Sequence, residues 1–189
     1  MKTKKIKNTY NSPVILTFAL ISLIALILSY LTAGISNQLL FVTQRGSLLN
    51  PLFYIKLFTH VLGHADLAHF TGNMLLFLLL GPMLEEKYGS FKILFMIVIT
   101  AVTTGILNAI FFSTGLIGAS GIVFMFILLA SLASFKEKEI PITFIIILII
   151  YLGQEIANGL LNVDNISQMG HIVGGGCGSI LGFFDKNYK

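Results

Sequence analysis

The stretch GHIVGGGCGSILG, residues 170–182, carries a glycine at every fourth position: Gly170, Gly174, Gly178 and Gly182. In a helix this spacing places the glycines on one face, one above the other. A stripe of small residues lets the backbone of a second helix approach very closely inside a membrane. His171 lies directly beside the stripe. The stretch therefore predicts a tightly packed helix pair with an imidazole at its edge.

The composition of the whole chain indicates a membrane protein. Its 189 residues are 56% hydrophobic and 11% charged, with a mean hydropathy of +0.90. Soluble domains carry about 25% charged residues, so this chain has too few to cover a water-facing surface. The net charge of +4 is not gathered on one face, and we expect no nucleic-acid partner. Cys177 is the single cysteine, which excludes an intrachain disulfide.

Six apolar runs predict an all-α polytopic bundle, because a spanning helix needs about 20 residues. The predicted spans cover residues 14–34, 67–84, 91–112, 119–135, 140–160 and 167–184. With six crossings, ten lysines fall on one side of the membrane, and only Arg45 and Lys56 fall on the other. By the positive-inside rule both termini are cytoplasmic. Residues 1–13 are then a basic tail, 14–184 the membrane domain and 185–189 a second tail.

The segment 36–66 is too long for an ordinary connection between spans. Its apolar pieces, residues 39–42 and 52–55, are too short to cross the membrane. Long loops of this kind are usually functional or lie along the membrane interface. We expect a membrane-associated external loop, with a plain external loop as the alternative.

Polar residues on three different spans are predicted to lie at one depth. At 1.5 Å per helical residue, Ser120 and His69 lie roughly 24 Å from the cytoplasmic boundary. On the same count His171 lies at roughly 21 Å and Asn73 at roughly 18 Å. In a hydrocarbon core about 30 Å thick, this layer is closer to the outer surface. A shared chemical site explains the coincidence, whereas scattered packing residues do not.

The residue types at this depth suit hydrolysis. A serine hydroxyl becomes a nucleophile when a base takes its proton, and histidine is the usual base near neutral pH. Ser120 is predicted at a helix start, where backbone N–H groups and the helix dipole stabilise an oxyanion. His69 and Asn73 share one helix face and can donate to the same oxyanion. The glycines around the serine, Gly118 and Gly121, remove side chains that would block a substrate backbone.

The sequence favours a Ser–His dyad, because no carboxylate lies at this depth on the second, fourth or sixth span. Glu155 on the fifth span is the one candidate for a third member. A metal site built from His60, His64 and His69 would have only Asp66 as a partnering acid. We therefore expect no metal and no cofactor. Helix packing alone explains each glycine motif singly, but not the matched depths.

Three motifs, in order, resemble those of the rhomboid family of intramembrane serine proteases. His69-Phe-Thr-Gly-Asn73 is similar to the family's HxxxN motif, and Gly118-Ala-Ser120-Gly121 to its GxSG motif. His171-Ile-Val-Gly174, followed by Gly178, is similar to HxxGxxxG. The resemblance covers residues from about 50 to 182 and implies a six-transmembrane-helix rhomboid-like bundle.

The resemblance implies a role for each matching residue. Ser120 would be the nucleophile and His171 the general base, while His69, Asn73 and the Ser120 N–H would bind the oxyanion. Glu85 would be structural, at the end of the second span. Substrates would be transmembrane segments of other membrane proteins in the bilayer, cleaved in a cavity that opens outward. The short tails and the lack of an organelle-targeting segment favour a bacterial plasma membrane.

Two departures from the family pattern concern the surroundings of the site. Phe124 occupies the position of a tyrosine that stacks on the catalytic histidine in many bacterial members, so stacking on His171 is expected without the hydroxyl. The first loop has Tyr54-Ile-Lys56 where the family typically has a Trp-Arg pair. This second departure leaves the anchoring of the loop open.

Two alternatives come from other functional classes. In a proton-coupled transporter His171, His69 and Glu155 would relay protons, but duplicated halves or matched broken helices are not seen in the sequence. A catalytically inactive rhomboid-like protein would bind membrane clients without cutting them. Such relatives typically lose the serine or the histidine, and this chain has both. The sequence does not specify the oligomeric state.

Overall fold

The structure is a computed structural model that describes residues 10–132, 142–146, 149–150 and 165–184. Within these ranges the chain is helical, apart from loops and one isolated antiparallel bridge between Thr43 and Leu116. The elements in chain order are α1 Pro13–Leu31, a π-helical turn Asn37–Phe41, α2 Pro51–Thr59, α3 Leu67–Tyr88, α4 Ser90–Phe111, α5 Ser120–Ser131 and α6 Asn165–Phe184.

Five of the six predicted spans correspond to helices in the described ranges. Three of them, α1, α3 and α4, are long and apolar enough to cross a membrane. The helix α3 continues beyond the predicted end at residue 84 to Tyr88, where Gly89 with φ +83° ends it. The apolar run stops at Glu85, but the backbone stays helical until that glycine. Of the predicted span 140–160, residues 142–146 and 149–150 are helical. Its remaining residues, with Glu155, and the predicted tails 1–9 and 185–189 lie outside the described residues.

A buried carboxylate joins three helices at one end of the bundle. The N-cap residue of α1, Ser12, makes no side-chain capping bond. Instead Glu85 of α3 accepts hydrogen bonds from the N–H groups of Val14 and Ile15, both at 3.1 Å. The hydroxyl of Ser90, the first residue of α4, donates to the same carboxylate at 2.6 Å. Because helix N-termini attract negative charge, Glu85 fixes where α1 and α4 begin.

The core of the bundle contains aromatic rings from three helices. Phe77 of α3 is fully buried, and its ring stacks on Phe18 of α1 with centroids 4.6 Å apart. On its other side Phe126 of α5 stacks at 5.1 Å. These contacts hold α3 between α1 and α5, which fixes the helix that carries His69 and Asn73.

The glycine stripe of α6 faces α5 at backbone contact distance. A Cβ atom added to Gly174 would overlap the carbonyl of Gly121 and lie 2.8 Å from its Cα atom. A Cβ atom on Gly178 would lie 2.5 Å from the carbonyl oxygen of Met125. No larger residue fits at these positions without separating the two helices. The seam brings the start of α5 to the residue that precedes His171.

Candidate active site

Ser120 is the first residue of α5, and Ala119 is its N-cap. The first backbone hydrogen bonds of the helix run from Ile122 and Val123 to the Ala119 carbonyl, at 2.9 and 3.0 Å. The N–H groups of Ser120 and Gly121 precede this ladder, so they are available as donors to a ligand. The serine hydroxyl therefore stands beside backbone donors at the positive end of a helix.

Gly118 adopts a backbone conformation and a contact that only glycine permits. Its φ angle is +121°, and its N–H donates to the carbonyl of His60 at 2.9 Å. A Cβ atom here would lie 2.6 Å from Cε1 and 2.7 Å from Nε2 of His69. A side chain at position 118 would therefore displace the His69 ring from the loop that precedes Ser120.

The other two predicted donors are positioned by the first turns of α3. Asp66 caps this helix, since its Oδ1 accepts from the N–H of His69 at 2.8 Å. Asn73 lies one turn further along and is 8% exposed. Its Nδ2 has no hydrogen-bond partner among the described residues. An unpaired buried donor is costly unless a ligand uses it, so its position is consistent with oxyanion binding.

His171 lies on α6 where this helix touches the start of α5. A Cβ atom on Gly121 would be 3.0 Å from the carbonyl oxygen of Gly170, so the residues next to Ser120 and His171 are in contact. The ring of Phe124, one turn after Ser120, lies 4.4 Å from the His171 ring with an interplanar angle of 42°. The imidazole thus packs against α5 on the side of the serine.

A cavity of about 490 Å³ contains these side chains. Its polar side chains are Ser120, His171, His69 and Asn73, and its other lining residues are apolar or glycine: Ala68, Gly72, Leu76, Gly115, Leu116, Ile117, Val123 and Phe124. Three helices and one loop supply the lining. The four polar residues that sequence depth grouped together therefore share one cavity.

The loop before Ser120 is held by contacts that the sequence analysis did not identify. Thr43 and Leu116 exchange two backbone hydrogen bonds, at 3.0 and 2.8 Å. The amide of Asn108, 2% exposed, donates to the carbonyls of Thr114 at 3.1 Å and Thr43 at 3.4 Å. The sequence feature that could have indicated these contacts is Asn108 itself, a single amide side chain near the end of an apolar span.

Both basic residues of the segment 36–66 donate hydrogen bonds to backbone carbonyls. Lys56 donates from Nζ to the Gln38 carbonyl at 2.7 Å. Arg45 donates to the carbonyls of Ala109 and Ile110 at the end of α4, at 3.3 and 2.5 Å. Lys56 thus links two parts of the segment 36–66, and Arg45 joins this segment, which lacks the Trp-Arg pair, to the end of α4.

Two further histidines, His60 and His64, lie in the segment 36–66, outside the predicted spans. Burial lowers the pKa of His60 to about 4, and its Nε2 lies 3.3 Å from Oγ1 of Thr104. Burial, with a smaller contribution from neighbouring His69, lowers the pKa of His64 to about 4. The His64 and His69 rings are 5.2 Å apart. Within the described ranges no group of three or more histidine, cysteine or acidic residues could hold a metal ion.

These two lowered pKa values predict that stability falls in acid. Between pH 6.5 and 4 the unfolded chain binds protons at His60 and His64 that the folded chain does not. The stabilisation is complete above pH 6.5 and is lost as the pH falls towards 4, by about 3 kcal/mol for each histidine. Unfolding in detergent, followed across pH 4–8, measures the loss. The His60→Gln variant should show a shallower pH dependence than wild type, and equal slopes would contradict the assignment.

The helical membrane bundle and its serine–histidine cavity define the class: a multi-pass membrane protein with hydrolase-type polar groups in one pocket. A rhomboid domain matches residues 52–188, well over half of the chain, so the chain belongs to the rhomboid family. It is 28% identical over 141 residues to Rhomboid protease GluP of Bacillus subtilis, and 25% identical over 134 residues to Rhomboid protease GlpG of Haemophilus influenzae. The matches cover 71% and 69% of this chain, but 27% and 69% of the two relatives. The chain therefore spans about a quarter of the length of the first.

Proposed function

We propose that this protein is an intramembrane serine endopeptidase that cleaves transmembrane segments of other membrane proteins with a Ser120–His171 dyad. One observation carries the proposal. Among the described residues that line the cavity, the polar side chains are those of Ser120, His171, His69 and Asn73. Both relatives are named proteases, which supports the same reading.

In the proposed reaction Ser120 Oγ attacks the scissile carbonyl while His171 takes the hydroxyl proton. The imidazolium then gives this proton to the leaving amine as the C–N bond breaks, which leaves an acyl-enzyme. Water then attacks the ester while His171 accepts a proton from it. The imidazolium returns this proton to Ser120 Oγ as the bond between that oxygen and the acyl carbon breaks, which releases the acid product and restores the enzyme. The ring of Phe124 packs on the imidazole with ring centroids 4.4 Å apart, which limits the rotation of the His171 side chain.

The negative charge on the carbonyl oxygen has three proposed donors. They are the N–H of Ser120, the Nδ2 of Asn73 and the ring of His69. A Cβ atom added to Gly118 would lie 2.7 Å from Nε2 of His69 and 3.7 Å from Nδ2 of Asn73, so both side chains lie beside the loop that precedes Ser120. Donors fixed before the reaction stabilise the transition state without reorganisation, and each contributes several kcal/mol in a site shielded from bulk water.

The membrane arrangement is part of the proposal. Residues 14–184 form a six-span protease domain between cytoplasmic tails, with residues 36–66 lying along the outer interface. Several apolar side chains of that segment are exposed, among them Leu49 at 94% and Leu48 at 68%, as expected for insertion among lipids. The cavity then opens to the exterior of a bacterial plasma membrane. Substrates need a locally unwound helix, because a helical peptide bond is hidden by its own hydrogen bonding.

Reconstitution tests the function directly. Wild-type protein in liposomes is mixed with a fluorescent single-span substrate that carries helix-destabilising residues in its outer half. We expect two fragments cut within or beside the span. A folded protein that binds such segments with no cleavage would favour the client-binding alternative, and proton-coupled uptake into the vesicles would favour the transporter.

Replacing Asn73 by alanine should slow turnover without unfolding the protein. Loss of one oxyanion donor lowers kcat by up to about 10²–10³-fold, and the remaining donors keep some activity. Thr71→Ala is the matched control, because Thr71 is exposed on the same helix and, among the described residues, its hydroxyl bonds only to carbonyls of its own helix. Steady-state kinetics with a thermal unfolding check measures both variants. Wild-type turnover in Asn73→Ala would remove this residue from the site.

A further inference from the structure

A groove of about 310 Å³ separates α2 from the last turns of α4. Its walls are mostly apolar side chains from both helices and from the chain before α2, among them Leu48, Tyr54, Leu57, Ile106 and Ile110. Among the described residues none lines both this groove and the cavity around Ser120. The groove is therefore a separate feature of the surface, and no step of the proposed reaction uses it.

Arg45 is the charged residue among the described residues that line the groove. Its guanidinium donates to the carbonyls of Ala109 and Ile110, which hold it against the end of α4. The other N–H groups of the guanidinium have no acceptor among the described residues, and the side chain is exposed. Because arginine stays charged at any pH that a protein meets, the groove carries a fixed positive charge at one end.

The groove extends from this charge along α4 towards the middle of the helix. Ile106 lies one turn before Ile110, so the apolar wall continues for about 6 Å beyond the carbonyls that Arg45 binds. On the α2 wall the hydroxyl of Tyr54 donates to the Leu48 carbonyl at 3.0 Å, which fixes the ring. In the proposed orientation the end of α4 lies at the outer membrane surface, the level of lipid headgroups and interfacial tyrosine rings.

We propose that this groove binds one phospholipid of the outer leaflet, with the headgroup phosphate on Arg45 and an acyl chain against Tyr54 and Ile106. The N–H groups of arginine match phosphate oxygens in both geometry and charge. A soluble anion would satisfy the guanidinium but leave the apolar wall uncovered, and an uncharged lipid would do the reverse. The proposal uses the membrane arrangement given above and is independent of the protease function.

Lipid titration tests the site. Delipidated protein in detergent is titrated with dioleoyl phosphatidylglycerol, and native mass spectrometry measures the bound lipid. The matched lipid is a diglucosyl glycerolipid with the same acyl chains and no phosphate. We expect one phosphatidylglycerol per chain to bind at least about tenfold more tightly than the glycolipid, the value of one hydrogen bond to a charged group. Glycerol phosphate, which has no acyl chain, should not displace the bound lipid.

A first pair of variants tests the phosphate contact. Arg45→Gln removes the charge and should weaken phosphatidylglycerol binding at least about tenfold. Lys56→Gln is its control, because Lys56 is the other basic residue of the segment 36–66 and also donates to a backbone carbonyl, that of Gln38. Lys56 does not line the groove, so this variant should bind the lipid as wild type does.

A second pair tests the apolar wall with Arg45 left in place. Ile106→Trp fills the groove and should weaken phosphatidylglycerol binding about tenfold, the value of about two buried methylene groups. Ile99→Trp is its control, since Ile99 is exposed on the same face of α4 two turns earlier and lies outside the groove lining. This variant should keep wild-type binding.

Four results would overturn the lipid site. Equal binding of phosphatidylglycerol and the glycolipid, or wild-type binding by Arg45→Gln, would remove the phosphate contact. Equal losses in Arg45→Gln and Lys56→Gln would reduce the effect to net charge, and equal losses in the two tryptophan variants would place the lipid elsewhere. If Arg45→Gln does not fold, the two lipids and the tryptophan pair decide the question.

Discussion

Ser120→Ala should abolish cleavage of a transmembrane substrate while the protein stays folded. The hydroxyl is the proposed nucleophile, and loss of a serine nucleophile lowers turnover by roughly 10⁴-fold or more. The cost to stability should be within about 1 kcal/mol, because the change removes one atom from a half-buried residue at the start of α5. Fragment formation in liposomes and the unfolding temperature in detergent give the two readouts.

Ser131→Ala is the control for this experiment. Ser131 lies at the other end of α5, where its hydroxyl donates to the Leu128 carbonyl at 2.7 Å, away from the cavity. It should cleave at the wild-type rate. Residual cleavage by Ser120→Ala above that of protein-free liposomes would require another nucleophile, and an unfolded Ser120→Ala would show that the hydroxyl has a structural role.

Gly174→Leu should destabilise the whole bundle and remove activity with it. The leucine would have to enter space occupied by the backbone of Gly121, which cannot move aside as a side chain can. Overpacking of this kind costs about 3 kcal/mol or more, and separation of α5 from α6 would also part Ser120 from His171. Thermal unfolding and substrate cleavage should fall together.

Gly176→Leu is the matched substitution on the same helix. Among the described residues a Cβ atom at Gly176 meets no atom within 4 Å, so the leucine does not enter the seam with α5. Its stability should stay within about 0.5 kcal/mol of wild type, as for exposed positions in general. Equal effects of the two substitutions would mean that glycine content, and not contact across the seam, stabilises α6.

Local patterns predicted the positions of the helices well. Hydrophobic runs located α1 and α4, although α1 ends at Leu31, three residues before the predicted end of the first span. The fourth span was predicted to begin at residue 119, and α5 begins at Ser120. The four-residue spacing of His69 and Asn73 places both on one helix face, and both line the cavity. These features depend on residues that are close together in the chain, so the spacing of residue types in the sequence is enough to predict them.

Contacts between distant segments were not predictable in this way. The depth of a residue in the membrane says nothing about lateral distance, so it could not show that the Gly118 backbone lies against the His69 ring. The bridge from Thr43 to Leu116 joins two irregular loops, and these have no periodic sequence pattern from which their contact could be predicted. Asn108 was missed by the sequence analysis, although it holds both loops.

Covalent modification is the most direct test of the dyad. Wild-type protein in liposomes is treated with a fluorophosphonate, and peptide mass spectrometry locates the adduct. The account predicts one adduct, on Ser120, that is lost in a folded His171→Ala variant because the hydroxyl then has no base. Folded wild-type protein that carries no adduct, or carries it on another residue with Ser120 unmodified, would contradict the account.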